Sequence, residues 1–168
     1  MRVQNVAPIE PFEVDGDAYV PVRVKWQTKY AVRPIYLRLK GDNGGSLEFR
    51  IDPANGRLIG LVVLELPPRR LALGAPTASA GESGLPVFDL SPWHPNPDMN
   101  PTIDVVKQVG PLWLERGDPG VLVRIDDDAV SRWIDAGPIC FGVGSHQELA
   151  AFHIPGKMGE DLRMAVGL

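Results

Sequence analysis

One stretch of alternating residues with a tight turn in its middle, residues 47–66 (LEFRIDPANGRLIGLVVLEL), constrains the fold of this chain more than any other segment. Leu47, Phe49 and Ile51 alternate with Glu48 and Arg50, which is the period of a strand that buries one face. The letters DPANGR then supply proline and glycine where a turn needs them. The return strand is apolar on both faces, so the segment predicts a β-hairpin whose second strand is covered on both sides.

Similar alternation appears in YVPVRVKW, IYLRLKG, TIDVVKQ, GPLWLERG and GVLVRID, each of which is interpreted as a strand. A different pattern occupies DDDAVSRWIDAG, residues 126–137, where Val130, Trp133 and Ile134 follow three acidic residues at helical spacing and Gly137 closes the run. This pattern predicts one short helix. A chain of 168 residues, 44% of them hydrophobic, is long enough for one domain. The predicted fold is a single α+β domain over residues 1–168, with a predominantly antiparallel β-sheet built from hairpins and one or two short helices.

Residues 67–102 hold eight of the seventeen prolines, which predicts a loop or insertion between two β-rich halves rather than a core element. Loops of this length are usually functional or disordered. Trp93, His94 and Asp98 are of types that can anchor a partner, and Trp93 is the strongest candidate because buried aromatic residues carry much of the energy at protein interfaces. The alternative is an insertion that contacts only its own domain. Trp93 also predicts that the second half of the loop is held against the rest of the protein.

A second hairpin is predicted in PICFGVGSHQELAAFHIPG, and it can be laid over the first with Phe141 on Phe49. An internal repeat is one interpretation, and the alternation common to all amphipathic hairpins is the other. If the loop is 145–148, Cys140 falls directly opposite His153 on the face away from Phe141. A thiol and an imidazole at that separation form a potential nucleophile pair, whereas an isolated cysteine in a strand is more often a small buried hydrophobe.

Composition and motifs exclude several classes of function. The formal net charge of −4 and the absence of a clustered excess of Lys and Arg argue against nucleic-acid binding. Phosphate-loop, dinucleotide-loop, hydrolase-elbow and zinc motifs are missing, and the run Asp126, Asp127 and Asp128 lacks the spaced oxygen ligands of a calcium loop, so we expect no cofactor and no metal. There is one cysteine and no apolar run of membrane-spanning length, which favours a cytoplasmic protein without membrane contact.

The pattern FRIDPANGRLIGL, an amphipathic strand followed by an Asp-initiated turn and a Leu-Ile-Gly-Leu return, resembles small bacterial proteins of unassigned function, some of which are toxin-neutralising immunity proteins. The resemblance covers residues 47–66, and also 139–154 if the second hairpin is counted. It implies a non-enzymatic, partner-binding protein of bacterial cytoplasm that covers the active site of a toxin, with a basic toxin domain as the expected partner. Trp93 would be the apolar anchor, together with His94 and Asp98. The acidic face would come either from Asp126, Asp127 and Asp128 or from Glu10, Glu13, Asp15 and Asp17. A small enzyme that uses Cys140 with His153 and a homo-oligomeric structural protein are the alternatives.

Overall fold

The computed structural model describes residues 1–17, 19–26, 33–71, 81–93 and 105–168, with the side chains of 105–107 left out of the description. Its strands are β1 Val3–Ala7, β2 Phe12–Asp15, β3 Val22–Trp26, β4 Ile35–Gly41, β5 Ser46–Ile51, β6 Leu58–Glu65, β7 Glu82–Ser83, β8 Leu85–Phe88, β9 Val105–Gly110, β10 Trp113–Gly117, β11 Gly120–Arg124, β12 Val130–Asp135, β13 Cys140–Gly144 and β14 Leu149–Ile154. A 3₁₀ turn spans Ser91–Trp93, and the helix α1 spans Gly156–Val166. None of the described helices is long and apolar enough to cross a membrane.

The strands form two six-stranded sheets and one separate pair, β1 with β8. Sheet 1 has the order β2-β3-β6-β5-β4-β9, and sheet 2 has the order β10-β11-β14-β13-β12-β7. Their inner faces pack on each other: the rings of Phe49 in sheet 1 and Phe152 in sheet 2 meet edge to face at 6.4 Å, and the Trp26 indole N–H donates to the Ala136 carbonyl at 3.0 Å. The fold is therefore a mostly β sandwich, and one core cluster takes residues from both halves of the chain.

The two sheets repeat the same arrangement. Five consecutive strands, β2 to β6 in sheet 1 and β10 to β14 in sheet 2, have the same order, and a sixth strand adds in parallel at the same edge of each sheet. The registers also coincide: one row crosses sheet 1 through Val14, Val24, Leu61, Phe49, Leu37 and Val106, and its counterpart crosses sheet 2 through Leu114, Val123, Phe152, Phe141, Ile134 and Glu82. Alternation alone explains two similar hairpins, but it does not explain a shared order and register across six strands. The chain therefore contains an internal structural repeat, with one copy in each six-stranded sheet.

The helix predicted over 126–137 is wrong, because Val130–Asp135 is strand β12. Ile134 faces the main core, whereas Trp133 and Val130 pack on the opposite face with Leu122 and Ala151. A shift of register between Val130 and Arg132 places Val130 and Trp133 on the same face although they are an odd number of residues apart. A strand that is buried on both faces and carries a bulge thus reproduces the spacing of a helix.

The described parts of the proline-rich segment are built into the sheets. Residues 67–71 lie along β10, and residues 81–93 supply β7, β8 and the 3₁₀ turn. Leu85 and Phe88 are fully buried. Pro86 lies opposite Val6 in the two-stranded pair of β1 and β8, and a proline is tolerated there more readily than in a central strand.

Helix α1 covers one side of the sandwich next to β11. Met158, Leu162 and Val166 pack on the main core cluster. The helix ends at Gly167, whose φ of 68° is the left-handed conformation that favours glycine, and its backbone N–H bonds back to the last helical turn.

Candidate functional site

Trp93, the predicted partner-binding anchor, is mostly buried within the protein. Its side chain is 9% exposed, belongs to the main core cluster and lies against Phe88 with ring centroids 6.5 Å apart. The prediction that this part of the segment is held against the body is confirmed. Most of the indole is already buried, so little of it is open to a partner, and its role in partner binding stays a prediction. His94 and Asp98 lie outside the described residues.

The three acidic residues between β11 and β12 each have a local contact. The Asp128 backbone N–H donates to Asp126 Oδ1 at 3.0 Å, which shapes the turn. Asp127 pairs with Arg70 at 2.7 Å, and the Asp128 carbonyl accepts a long bond from Arg124 at 3.4 Å. Asp126 and Asp127 also line a cleft of about 280 Å³, while Asp128 does not. The hydrogen bond within the turn and the ion pair with Arg70 therefore explain most of the acidic residues in this run.

Cys140 and His153 are directly paired across β13 and β14, which confirms the predicted register. His153 is 3% exposed, and its Nε2–H donates to the Pro119 carbonyl at 2.7 Å, while Nδ1 has no hydrogen-bond partner. Burial and, to a smaller extent, the nearby Asp135 carboxylate raise the pKa of Cys140 to about 11. Since the thiolate is the nucleophilic form, this environment disfavours a reactive cysteine at neutral pH. Within the described ranges, no group of three or more His, Cys, Asp or Glu side chains is placed to hold a metal.

The outer edge of sheet 2 is covered by the chain itself. The Leu114 N–H donates to the Pro68 carbonyl at 2.9 Å, and the Arg70 N–H donates to the Leu114 carbonyl at 2.9 Å, so residues 68–70 extend the sheet as a short parallel strand. The Arg70 side chain bonds Glu115 at 2.7 Å and stacks on Trp113 with its guanidinium 5.3 Å from the ring centroid. Glu115 is buried, with 3% of its side chain exposed. A basic segment therefore covers this edge strand, and its Arg70 pairs with the buried Glu115.

Within the described residues, the equivalent edge of sheet 1 is open. Strand β2 occupies the position of β10, Val14 is the counterpart of Leu114, and Asp15 is the counterpart of Glu115. In the described part of the chain no segment pairs with the outer edge of β2. All four residues of β2 are exposed, and the apolar Phe12 and Val14 are 44% and 41% exposed although they lie on the inner face of the sheet.

A groove runs beside this edge, between β2 and helix α1. It has a volume of about 640 Å³. Val14, Leu66, Met158 and Leu162 give it an apolar floor. Its polar lining residues are Asp15, Asp17, Lys157 and Asp161.

The rim of this groove is acidic. Among the described residues that line it, three carboxylates stand against one ammonium group, all on exposed residues. Asp15 pairs with Arg23 at 2.9 Å, and its side chain remains 61% exposed. Asp17 accepts the backbone N–H groups of Val20 and Tyr19, which lower the pKa of its carboxyl. We call the outer edge of β2, with this groove, the open edge.

Sequence reasoning named Asp15 and Asp17 as acidic residues but did not identify β2 as an edge strand with a free side. The sequence signal for this site was the only adjacent basic pair of the chain, Arg69 and Arg70, since a basic pair in a proline-rich segment can bind beside a carboxylate of an edge strand.

No protein-family model matches the chain, and no curated protein matches it in sequence. The geometry of the open edge is therefore the basis of the functional argument.

Proposed function

We propose that this chain is a non-enzymatic protein of bacterial cytoplasm that binds a protein partner at the open edge. One observation carries the proposal: β2 leaves its outer edge unpaired within the described residues, although the same edge of the second sheet is covered by residues 68–70. An uncovered strand edge is normally blocked, because it offers unpaired N–H and C=O groups to another chain. Many partner-binding domains use such an edge to bind an extended peptide.

The charges at the open edge favour a basic partner. Asp15, Asp17 and Asp161 surround the apolar floor, and among the described lining residues Lys157 is the one cation. A second copy of this chain would bring the same carboxylates together across a two-fold axis, and like charges at a contact are unfavourable. A basic partner meets no such repulsion, so the charge pattern supports a heterologous complex over a homo-oligomer.

Neutralisation of a basic toxin domain, the role that the hairpin resemblance implies, is one form this function would take. In that form the open edge supplies the contact surface, and the complex covers the active site of the toxin. Trp93 and the acidic run Asp126, Asp127 and Asp128 are secondary candidates in this proposal, because each of them already has contacts within the protein.

The test is an affinity capture of the tagged full chain from its native host, with mass spectrometry and a measured stoichiometry. Val14→Lys places a positive charge on the floor of the open edge, and Val109→Lys makes the same change at a side chain that is 72% exposed on β9. Circular dichroism first establishes that both variants are folded. The proposal expects a one-to-one basic partner that Val14→Lys loses and Val109→Lys retains.

Capture of the chain alone, or of a partner that is indifferent to Val14→Lys, would remove the support for binding at the open edge. A stable dimer of the chain with no other component would favour the homo-oligomeric alternative instead.

A further inference from the structure

The internal repeat provides a template for what occupies the open edge. Because the registers of the two sheets coincide, residues 113–115 of β10 have defined counterparts in residues 13–15 of β2. Whatever pairs with Leu114 therefore indicates what backbone geometry fits Val14.

The template segment is short and parallel to the edge strand. Pro68 and Arg70 bond the N–H and C=O of Leu114, and Arg69 lies opposite Leu114 in the ladder. Backbone bonds of this kind do not depend on side chains, so the same geometry is available to any extended segment at Val14. The prolines do not interfere, because the segment uses the Pro68 carbonyl and not its missing N–H.

The template segment is also basic, and the reason is that its Arg70 pairs with the Glu115 carboxylate of β10. Arg70 donates two bonds to Glu115 Oε1, from Nε at 2.9 Å and Nη2 at 2.7 Å, while Arg124 contacts the other oxygen at 3.3 Å. At the equivalent place in sheet 1, Asp15 accepts Arg23 through Oδ1. Its 61% exposed side chain leaves room for a second cation, as Glu115 has.

We infer that the open edge binds a short extended basic segment of the partner protein, which adds to β2 as a parallel strand and pairs an arginine with Asp15. The inference rests on the proposed function and specifies the chemistry and direction of the bound segment. Residues 68–70 are the internal copy of that segment. The occupant belongs to another protein, because in this chain residues 68–70 are already bound at β10.

The chain's own segment serves as the probe. A capped peptide of sequence LELPPRRL, residues 64–71, is titrated to millimolar concentration into the isotope-labelled full chain, and backbone amide shifts are followed by NMR. We expect saturable shifts centred on β2. Replacing both arginines of the peptide by glutamate should abolish them, and Asp15→Lys in the protein should weaken binding about tenfold, because an attractive charge pair becomes a repulsive one. Asp42→Lys, the same change in the exposed turn after β4, should leave binding unchanged.

A spin label at the N-terminus of the peptide reports the direction. In a parallel strand it broadens the amide of Phe12 more than that of Asp15. Absence of shifts at β2, equal binding of the glutamate peptide, or the reverse broadening pattern would overturn the inference. If affinity capture still finds a partner that Val14→Lys loses, the proposed function stands and only this account of the bound segment fails.

Discussion

Replacing Arg70 by alanine tests how strongly the segment 68–70 is fixed to β10. The guanidinium makes two bonds to Glu115 and one to Asp127, and it stacks on Trp113. With 33% of the Arg70 side chain exposed and 3% of the Glu115 side chain exposed, the acid is the buried partner. The substitution leaves this carboxylate with Arg124 alone, at 3.3 Å.

The expected loss follows from these contacts. A hydrogen bond to a charged group contributes roughly 1.5–3 kcal/mol, and an unpaired buried charge costs more than a lost surface pair. Arg124 offsets part of the loss because it still contacts Glu115. Asp127 is 68% exposed, so its pair with Arg70 adds no more than about 0.5 kcal/mol. We expect Arg70→Ala to lower the free energy of unfolding by about 2–4 kcal/mol, measured by urea denaturation.

The neighbouring residue is a matched control. Arg69 donates to the carbonyls of Val166 and Gly167 at the end of α1, at 2.6 and 3.2 Å, in an exposed position. Arg69→Ala should therefore cost only about 0.5–1 kcal/mol. The double substitution Arg70→Met with Glu115→Gln should recover part of the loss, because a neutral amide then replaces the buried carboxylate that Arg70→Ala leaves undercompensated.

Equal effects of Arg69→Ala and Arg70→Ala would refute the reasoning, since it depends on the burial of Glu115. A loss below about 1 kcal/mol for Arg70→Ala would do so as well, because an exposed ion pair has that size.

Three further predictions concern the core and the buried pair on sheet 2. Phe152→Ala should lower the free energy of unfolding in urea by about 3–5 kcal/mol, because the ring is fully buried between the sheets. Phe12→Ala should lower it much less, because that side chain is 44% exposed. Similar losses for the two variants would contradict the packing. Cys140 should react slowly with iodoacetamide at neutral pH and rapidly in denaturant, because burial raises its pKa to about 11; fast native alkylation would revive the enzyme hypothesis. Burial lowers the pKa of His153, so the unfolded chain binds a proton that the folded chain excludes, and the free energy of unfolding should fall as the pH drops below 6.5. His153→Gln should reduce this pH dependence, measured by melting curves at pH 5 and 7.5. An unchanged dependence in the variant would contradict the assignment to His153.

The hairpins were predictable because strand periodicity and loop length are local properties. Alternation assigned the faces of β5, and the length of the loop after β13 fixed the register that places Cys140 opposite His153. Strand β12 was not predictable in this way. Its burial on both faces depends on Leu122 and Ala151, which come from other strands, and its bulge gave Val130 and Trp133 a helix-like spacing.

The candidate site was only partly accessible from the sequence. Its acidic residues, Asp15 and Asp17, could be named from composition alone. The sequence did not predict that β2 lies at an edge with which no described segment pairs. Edge position is a property of strand order, and strand order is set by long-range pairing. The basic pair Arg69 and Arg70 was visible, but its place along β10 was not.

The sequence by itself determined that this chain forms amphipathic hairpins, since the alternation of side chains between the two faces of a strand needs no information from elsewhere. Only the tertiary structure decided that the hairpins repeat as two sheets of equal order and register. It also decided that residues 68–70 cover the outer edge of one sheet, while no described segment pairs with the same edge of the other. The physical reason is that backbone N–H and C=O groups are the same in every strand. Which of them are paired depends on neighbours that are distant in the sequence.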